Sequence, residues 1–180
     1  MKRIVNTLSI SALSVLSAVA LNVSARAETF DIAEVSFDHS PHLAEVTTMD
    51  QTPFQGGRYH FVIHVPDHAG EALKAILIAP QDRAAQIDFD LNATTVHRGG
   101  AYANGERLNL VSLGGEAENS EEIWVVFDQP VAPGETVTVT LETTSNPTDG
   151  VYLFGVTAYP DEDDGVGQFL GYGRIQIYGY

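Results

Sequence analysis

Residues 136–142 read Thr136-Val137-Thr138-Val139-Thr140-Leu141-Glu142. Apolar side chains fall on every second position, the period of a strand with one face in a core and the other toward water. Val137, Val139 and Leu141 are therefore expected inside, and the threonine face is expected to be solvated. Just upstream, Val131-Ala132-Pro133-Gly134 suits a type II turn, because proline presets φ at the first central position and glycine accepts positive φ at the next.

The same test applied in both directions predicts seven more strands. They are 58–65 (with Tyr59, Phe61, Ile63 and Val65 on one face), 72–79, 87–91, 107–113, 123–127, 151–159 and 173–178. The run 151–159 is apolar on both faces, which predicts a central strand covered on each side. Breaks fall at residues suited to turns, among them Pro66, Pro80, Gly99-Gly100, Asn146-Pro147 and Asp149-Gly150. Helix is limited to two candidate single turns, 70–74 and 81–85. About eight short strands at this spacing predict an all-β, antiparallel sandwich of the Ig-like or Greek-key type.

The N-terminus carries a different signal. Lys2 and Arg3 precede an uncharged, largely apolar stretch from Ile4 to Val23, and Ala25-Arg26-Ala27 offers a small-x-small cleavage site. A membrane-spanning anchor needs about 20 mostly apolar residues, and Asn6, Thr7, Ser9, Ser11, Ser14, Ser17 and Asn22 thin this segment out. The expected organisation is a signal peptide over 1–27 and one domain over 28–180. Within that domain, 28–57 forms an N-terminal extension with the first loop or edge strand, and 58–180 forms the sandwich core.

Composition narrows the functional classes. The chain has no cysteine, which excludes disulfides, thiolate metal sites, a cysteine nucleophile and a lipid-modified cysteine after the leader. Removal of the leader takes away Lys2, Arg3 and Arg26 and leaves six basic residues against 24 acidic ones, a net charge of −18. Such a polyanion repels nucleic acid and anionic headgroups. A membrane-spanning β-barrel is set aside because its strands need about 9–11 residues with a lipid-facing apolar row. Most runs here are shorter. No integral membrane protein and no cofactor are expected.

Several groups invite a chemical reading. Asp161-Glu162-Asp163-Asp164-Gly165 could direct oxygen ligands from Asp161, Asp163 and Asp164 onto calcium, although its spacing is not that of an EF-hand loop. A solvated hairpin tip is the alternative. His39 with His42, and His60 with His64 and His68, suggest zinc, but two same-face residues four apart on a strand are separated by about 13 Å. Surface histidines that titrate near neutrality are the simpler expectation. Ser40 lies between histidines but precedes proline in a loop. No Gly-x-Ser-x-Gly elbow, His-Glu-x-x-His, phosphate-binding loop or dinucleotide fingerprint occurs. Paired carboxylates for glycoside hydrolysis have no sequence signature.

The ending, 167–178, interleaves glycine with aromatics and permits a bulge at Gly171 or Gly173. Tyr152, Tyr159, Tyr172 and Tyr178, with Arg174, could form an aromatic platform for sugar rings, the alternative being core and edge packing. Arg174 is expected to pair with a carboxylate.

Ser40-Pro41-His42-Leu43, Asn146-Pro147, the run from Gly150 through Pro160 and the 167–178 ending together resemble a cyanobacterial family, domain of unknown function 2808. The resemblance implies a periplasmic or otherwise extracytoplasmic protein of a Gram-negative phototroph and assigns no catalytic residue, substrate or cofactor. The 161–164 loop is more acidic than the turn associated with that position.

The leading expectation is an exported, non-enzymatic envelope module that recognises a protein or glycan partner. A calcium-stabilised surface module and a polysaccharide hydrolase are the alternatives.

Overall fold

Nine strands are divided between two layers in the computed structural model, which describes residues 35–102, 105–114 and 122–179. They are β1 (His42–Thr47), β2 (Gly57–His64), β3 (Leu73–Pro80), β4 (Phe89–Arg98), β5 (Leu110–Gly114), β6 (Ile123–Val131), β7 (Thr136–Thr143), β8 (Gly150–Pro160) and β9 (Gln168–Ile177), with one 3-10 turn at Asp82–Gln86. One sheet has the order β1-β2-β7-β4 and the other β5-β6-β3-β8-β9, and every pairing is antiparallel. Both sheets are open, so the described chain is a sandwich and not a closed barrel. The described residues belong to one compact unit, Ala33–Tyr180.

The core is what the alternation predicts. Tyr59, Phe61, Ile63 and Val65 from β2 and the residue after it, with Val137, Val139 and Leu141 from β7, are fully buried. They meet Ile76 and Ile78 from β3, Val125 and Phe127 from β6, and Phe154 and Val156 from β8. Edge-to-face rings lock the layers together: Phe154 lies 5.5 Å from Phe61 and 6.0 Å from Tyr59 between ring centroids. Gly134 takes φ +87° in the turn before β7, the conformation its type II signature requires.

Several sequence expectations change. The count is nine rather than about eight, with the edge strand expected within 28–57 realised as β1; its register slips between Leu43 and Glu45, so period-two alternation does not mark its bounds. Strand β4 runs on to Arg98 rather than ending at Leu91, past an irregularity between Asp90 and Thr95, where Asn92 N–H turns back onto Asp90 Oδ1 at 3.0 Å. Strand β9 likewise begins at Gln168, not Gly173, and a bulge near Gly171 (φ +128°) keeps it paired to β8. Residues 70–74 bend into β3 without forming a helical turn, whereas the 3-10 turn at Asp82–Gln86 matches the second helical expectation within a residue.

The threonine face of β7 is not solvated. Thr138 and Thr140 are only 3% and 7% exposed. Strand β7 is interior to its sheet, and neighbours from β2 and the loop after β4 lie over it. Thr138 Oγ1 donates to Gly99 O at 2.6 Å, and Thr140 Oγ1 bonds His60 Nδ1 at 2.9 Å. Nor is β8 covered on both sides. Its inward residues Tyr152, Phe154, Val156 and Ala158 are buried, while Val151 and Leu153 remain 41% and 40% exposed.

Candidate functional site

Two surfaces are candidates, and each is the outer face of one sheet. On the five-stranded sheet, the residues that alternate with the core point away from it in cross-strand rows. Trp124 pairs with Leu77, Leu77 with Thr157, and Thr157 with Phe169. A second row runs from Ala79 through Gly155 to Tyr172, and a third joins Leu153 to Arg174. Phe169 and Tyr172 are 55% and 61% exposed and stack edge to face at 5.1 Å. Both rings lean over Gly155, where an added Cβ would touch them at 3.4 and 3.6 Å. Trp124 and Tyr159 pair at 4.8 Å, and Tyr159 lies against the backbone of Gly167. Partial burial, then the nearby Glu122 carboxylate, raises the Tyr159 phenol above its ordinary pKa, so it stays a neutral hydroxyl. The outward positions of these rows carry a single charged group, Arg174, on a chain with 24 acidic residues.

The four-stranded sheet presents the opposite chemistry. A groove of about 580 Å³ crosses its outer face. Its floor is a set of register partners: Arg58 opposite Glu142, and His60 opposite Thr140, which in turn faces Thr95. One wall is Met49-Asp50 and the other is Ala101-Tyr102 with Gly105. Asp50 accepts the Arg58 backbone N–H at 3.1 Å and sits 3.9 Å from its Nε. The Tyr102 ring stands over His60 with centroids 5.4 Å apart. Burial, followed by the Arg58 charge, lowers the His60 pKa, partly opposed by Asp50 and Glu45. For His60 the expectation of a surface group titrating near neutrality is corrected, because it is half-buried and favours the neutral form.

Both walls are pinned from beneath. Asn146, 1% exposed, donates through Nδ2 to Asp50 O at 2.7 Å and Thr52 O at 3.0 Å, and its Oδ1 accepts the Tyr59 hydroxyl at 3.0 Å. Burial, then Tyr152, pushes the Tyr59 phenol far above its ordinary pKa, so it remains a donor. On the other side, Thr138 holds Gly99 while Arg98 pairs with Glu106 at 3.5 Å and with Glu135. Arg98 thereby ties the loop after β4 to the turn before β7.

The residues singled out from sequence scatter. Tyr159, Tyr172 and Arg174 share the outer face of the five-stranded sheet, and Tyr178 follows β9, bonded through its N–H to Gln51 O at 2.9 Å. Tyr152 does not belong to a platform. It is 2% exposed, and its hydroxyl donates to Thr148 O at 2.7 Å. Arg174 bonds Gln176 Oε1 at 3.2 Å instead of a carboxylate. Asp161 faces Lys74 at 3.7 Å, Asp163 and Asp164 are exposed, and among the described residues no three His, Asp or Glu side chains converge on a metal position. His39 stacks on His68 at 4.1 Å and His42 on His64 at 4.9 Å, pairings that the sequence spacing did not suggest. Ala25 and Ala27, the expected cleavage site, lie outside the described residues. Among the described residues no helix is long and apolar enough to cross a membrane. The groove itself was missed: Met49-Asp50, His97 and Tyr102 sit in three different contexts along the chain, and only the sheet register unites them.

A family model described as a protein of unknown function (DUF2808) matches residues 34–177. The chain belongs to that family. The match covers every strand of this DUF2808 chain, from β1 to β9. No curated protein matches it. Among solved structures, the bacterial hydrophobin BslA is similar over 78% of this chain and 95% of its own, at 12% identity and a TM-score of 0.49. A collagen-binding domain from a Staphylococcus aureus adhesin is similar over 75% and 96%, at 10% identity and a TM-score of 0.41. The RrgA Jo.In complex is similar over 77% and 78%, at 14% identity and a TM-score of 0.42.

Proposed function

We propose that this DUF2808 protein is an exported, non-enzymatic module of a phototroph's cell envelope that recognises a protein or glycan partner through the outer face of its five-stranded sheet. One observation carries the reading. Phe169, Tyr172, Leu153 and Val151 are each at least 40% exposed on the outer face of one sheet, whose rows described above carry a single charged group, in an otherwise strongly acidic chain. Contiguous exposed apolar area of that kind is costly in water and is characteristic of interaction surfaces. Flat aromatic rings suit both an apolar protein patch and the C–H face of a sugar.

Absence of the recognised hydrolytic motifs supports a binding role, and the leader supports export. The decisive experiment compares capture from envelope extract, and binding across a glycan array, for the wild type and for Tyr172→Asp with Phe169→Asp. Capture that depends on the two rings supports the proposal. Equal capture by the double variant, or release of reducing ends from wall or matrix polysaccharide, overturns it.

A further inference from the structure

We propose that the groove on the opposite, four-stranded sheet is a second binding site, built for a neutral, polyhydroxylated ligand of the saccharide class. It is independent of the flat face, because the two surfaces lie on opposite outer faces of the sandwich and share no residue.

Size comes first. About 580 Å³ lies within the range of small-ligand sites, about 300–1,000 Å³. Chemistry then selects the ligand. The groove offers carboxylates from Asp50 and Glu142, the guanidinium of Arg58, hydroxyls from Thr95 and Thr140, and imidazoles from His60 and His97. This is a mixed set of donors and acceptors fixed on paired strands, which matches hydroxyl groups that both donate and accept. Asp50 and Arg58 face each other at 3.9 Å and partly offset one another's charge, which reduces the pull of this pair on an ionic ligand. A neutral ligand can hydrogen-bond to the outer atoms of both and leave it intact. Anions are further disfavoured by the two carboxylates and by the charge of the whole chain.

An aromatic wall completes the site. Tyr102 is 59% exposed and stands at the lip over His60, which leaves its ring accessible from the groove. The backbone before it is bonded to the sheet: Gly99 N–H donates to Thr136 O at 2.7 Å, Thr138 donates to Gly99 O, and Arg98 N–H reaches Glu106 O at 2.9 Å. The exposed face of the ring can stack on the C–H face of a pyranose. No three ligating side chains converge among the described residues, which separates this groove from a metal site.

The test is a titration of the full mature chain with neutral di- to tetrasaccharides (gluco-, chito- and malto-series), followed by amide chemical shifts. The expected result is saturable binding with shifts centred on residues 58–60, 95–97 and 140–142. Tyr102→Ala should weaken it about tenfold, a typical effect for truncating an exposed aromatic anchor. Arg58→Gln should do the same, while Tyr172→Ala on the flat face should leave it unchanged. Three outcomes overturn the inference: no saccharide of the three series binds at millimolar concentration, shifts map to β8 and β9 instead, or affinity survives both groove variants. Tyr102 and Arg58 are exposed side chains, so a melting curve close to that of the wild type verifies that each variant is folded.

Discussion

The two outer faces of this sandwich are made from strands of similar length, yet one is apolar and flat and the other polar and grooved. Across the five-stranded sheet the outward rows hold Trp124, Leu77, Tyr172 and Leu153. Across the four-stranded sheet the outward rows hold Arg58, His60, Thr140 and Glu142. The difference arises from what flanks each sheet. Loops rise at both sides of the four-stranded face, one anchored by Asn146 and one by Arg98 and Thr138, so His60 and Thr140 on the floor are partly shielded and bond one another, while Arg58 stays exposed. The outward rows of the five-stranded face stay open, and their aromatic rings are left to solvent. A half-buried polar floor with built walls selects a ligand by hydrogen bonds, whereas an open apolar face selects a partner by area.

The sharpest way to break this contrast is to remove the post under the first wall. Asn146→Ala leaves the Asp50 and Thr52 carbonyls and the Tyr59 hydroxyl without their shared partner, and should cost about 2–4 kcal/mol in urea unfolding. Faster amide exchange should be confined to residues 50–56 and should spare β8 and β9. A uniform increase over both sheets would show that Asn146 supports the whole sandwich and not one wall.

Thr138→Val tests the second wall at smaller expense. It removes the bond to Gly99 O and should destabilise the protein by about 1 kcal/mol. Groove binding should weaken while capture by the flat face is preserved. On the five-stranded face itself, Tyr172→Asp should change stability by less than about 0.5 kcal/mol, since the side chain is exposed and stacks on Phe169 beside Gly155. It should nevertheless abolish partner capture. A large loss of stability would mean that Tyr172 belongs to packing and not to a binding surface.

The smallest expected effect is a pH dependence. His60 titrates below its ordinary 6.5 because burial, and then Arg58, disfavour its charged form. The unfolded chain therefore takes up a proton at a higher pH than the folded one. Stability is unaffected by this group well above pH 6.5 and falls as pH drops from there toward the folded pKa. His60→Gln should flatten that part of the stability curve, measured as melting temperature between pH 7.5 and 5, about the interval over which histidines titrate. An unchanged slope would remove His60 from the groove's electrostatics.

Much of the architecture was legible in residue patterns. Period-two alternation identified β2 and β7, and Pro133-Gly134 identified the turn between β6 and β7. Where the pattern failed, a bulge was the cause: β1 slips at Leu43/Glu45, β4 at Asp90/Thr95 and β9 near Gly171, and each extra residue shifts the alternation by one. The candidate sites were less legible. Tyr172 and Arg174 are visible as an unusual ending, but the sequence leaves Tyr152 open between platform and core, because a tyrosine's spacing does not say which face of its strand is the core. The groove had no linear signature, since its walls and floor come from separate segments, around residues 50, 58, 97, 102 and 140.

By itself, then, the sequence determined that this chain is an acidic, cysteine-free antiparallel sandwich, because alternation and turn chemistry are local properties that each strand carries alone. Which threonines are shielded, which tyrosines reach solvent and which carboxylate faces which arginine were decided only by tertiary structure. Those facts depend on strand order and register between segments as far apart as Asp50 and Asn146. No local pattern encodes the neighbour on the next strand.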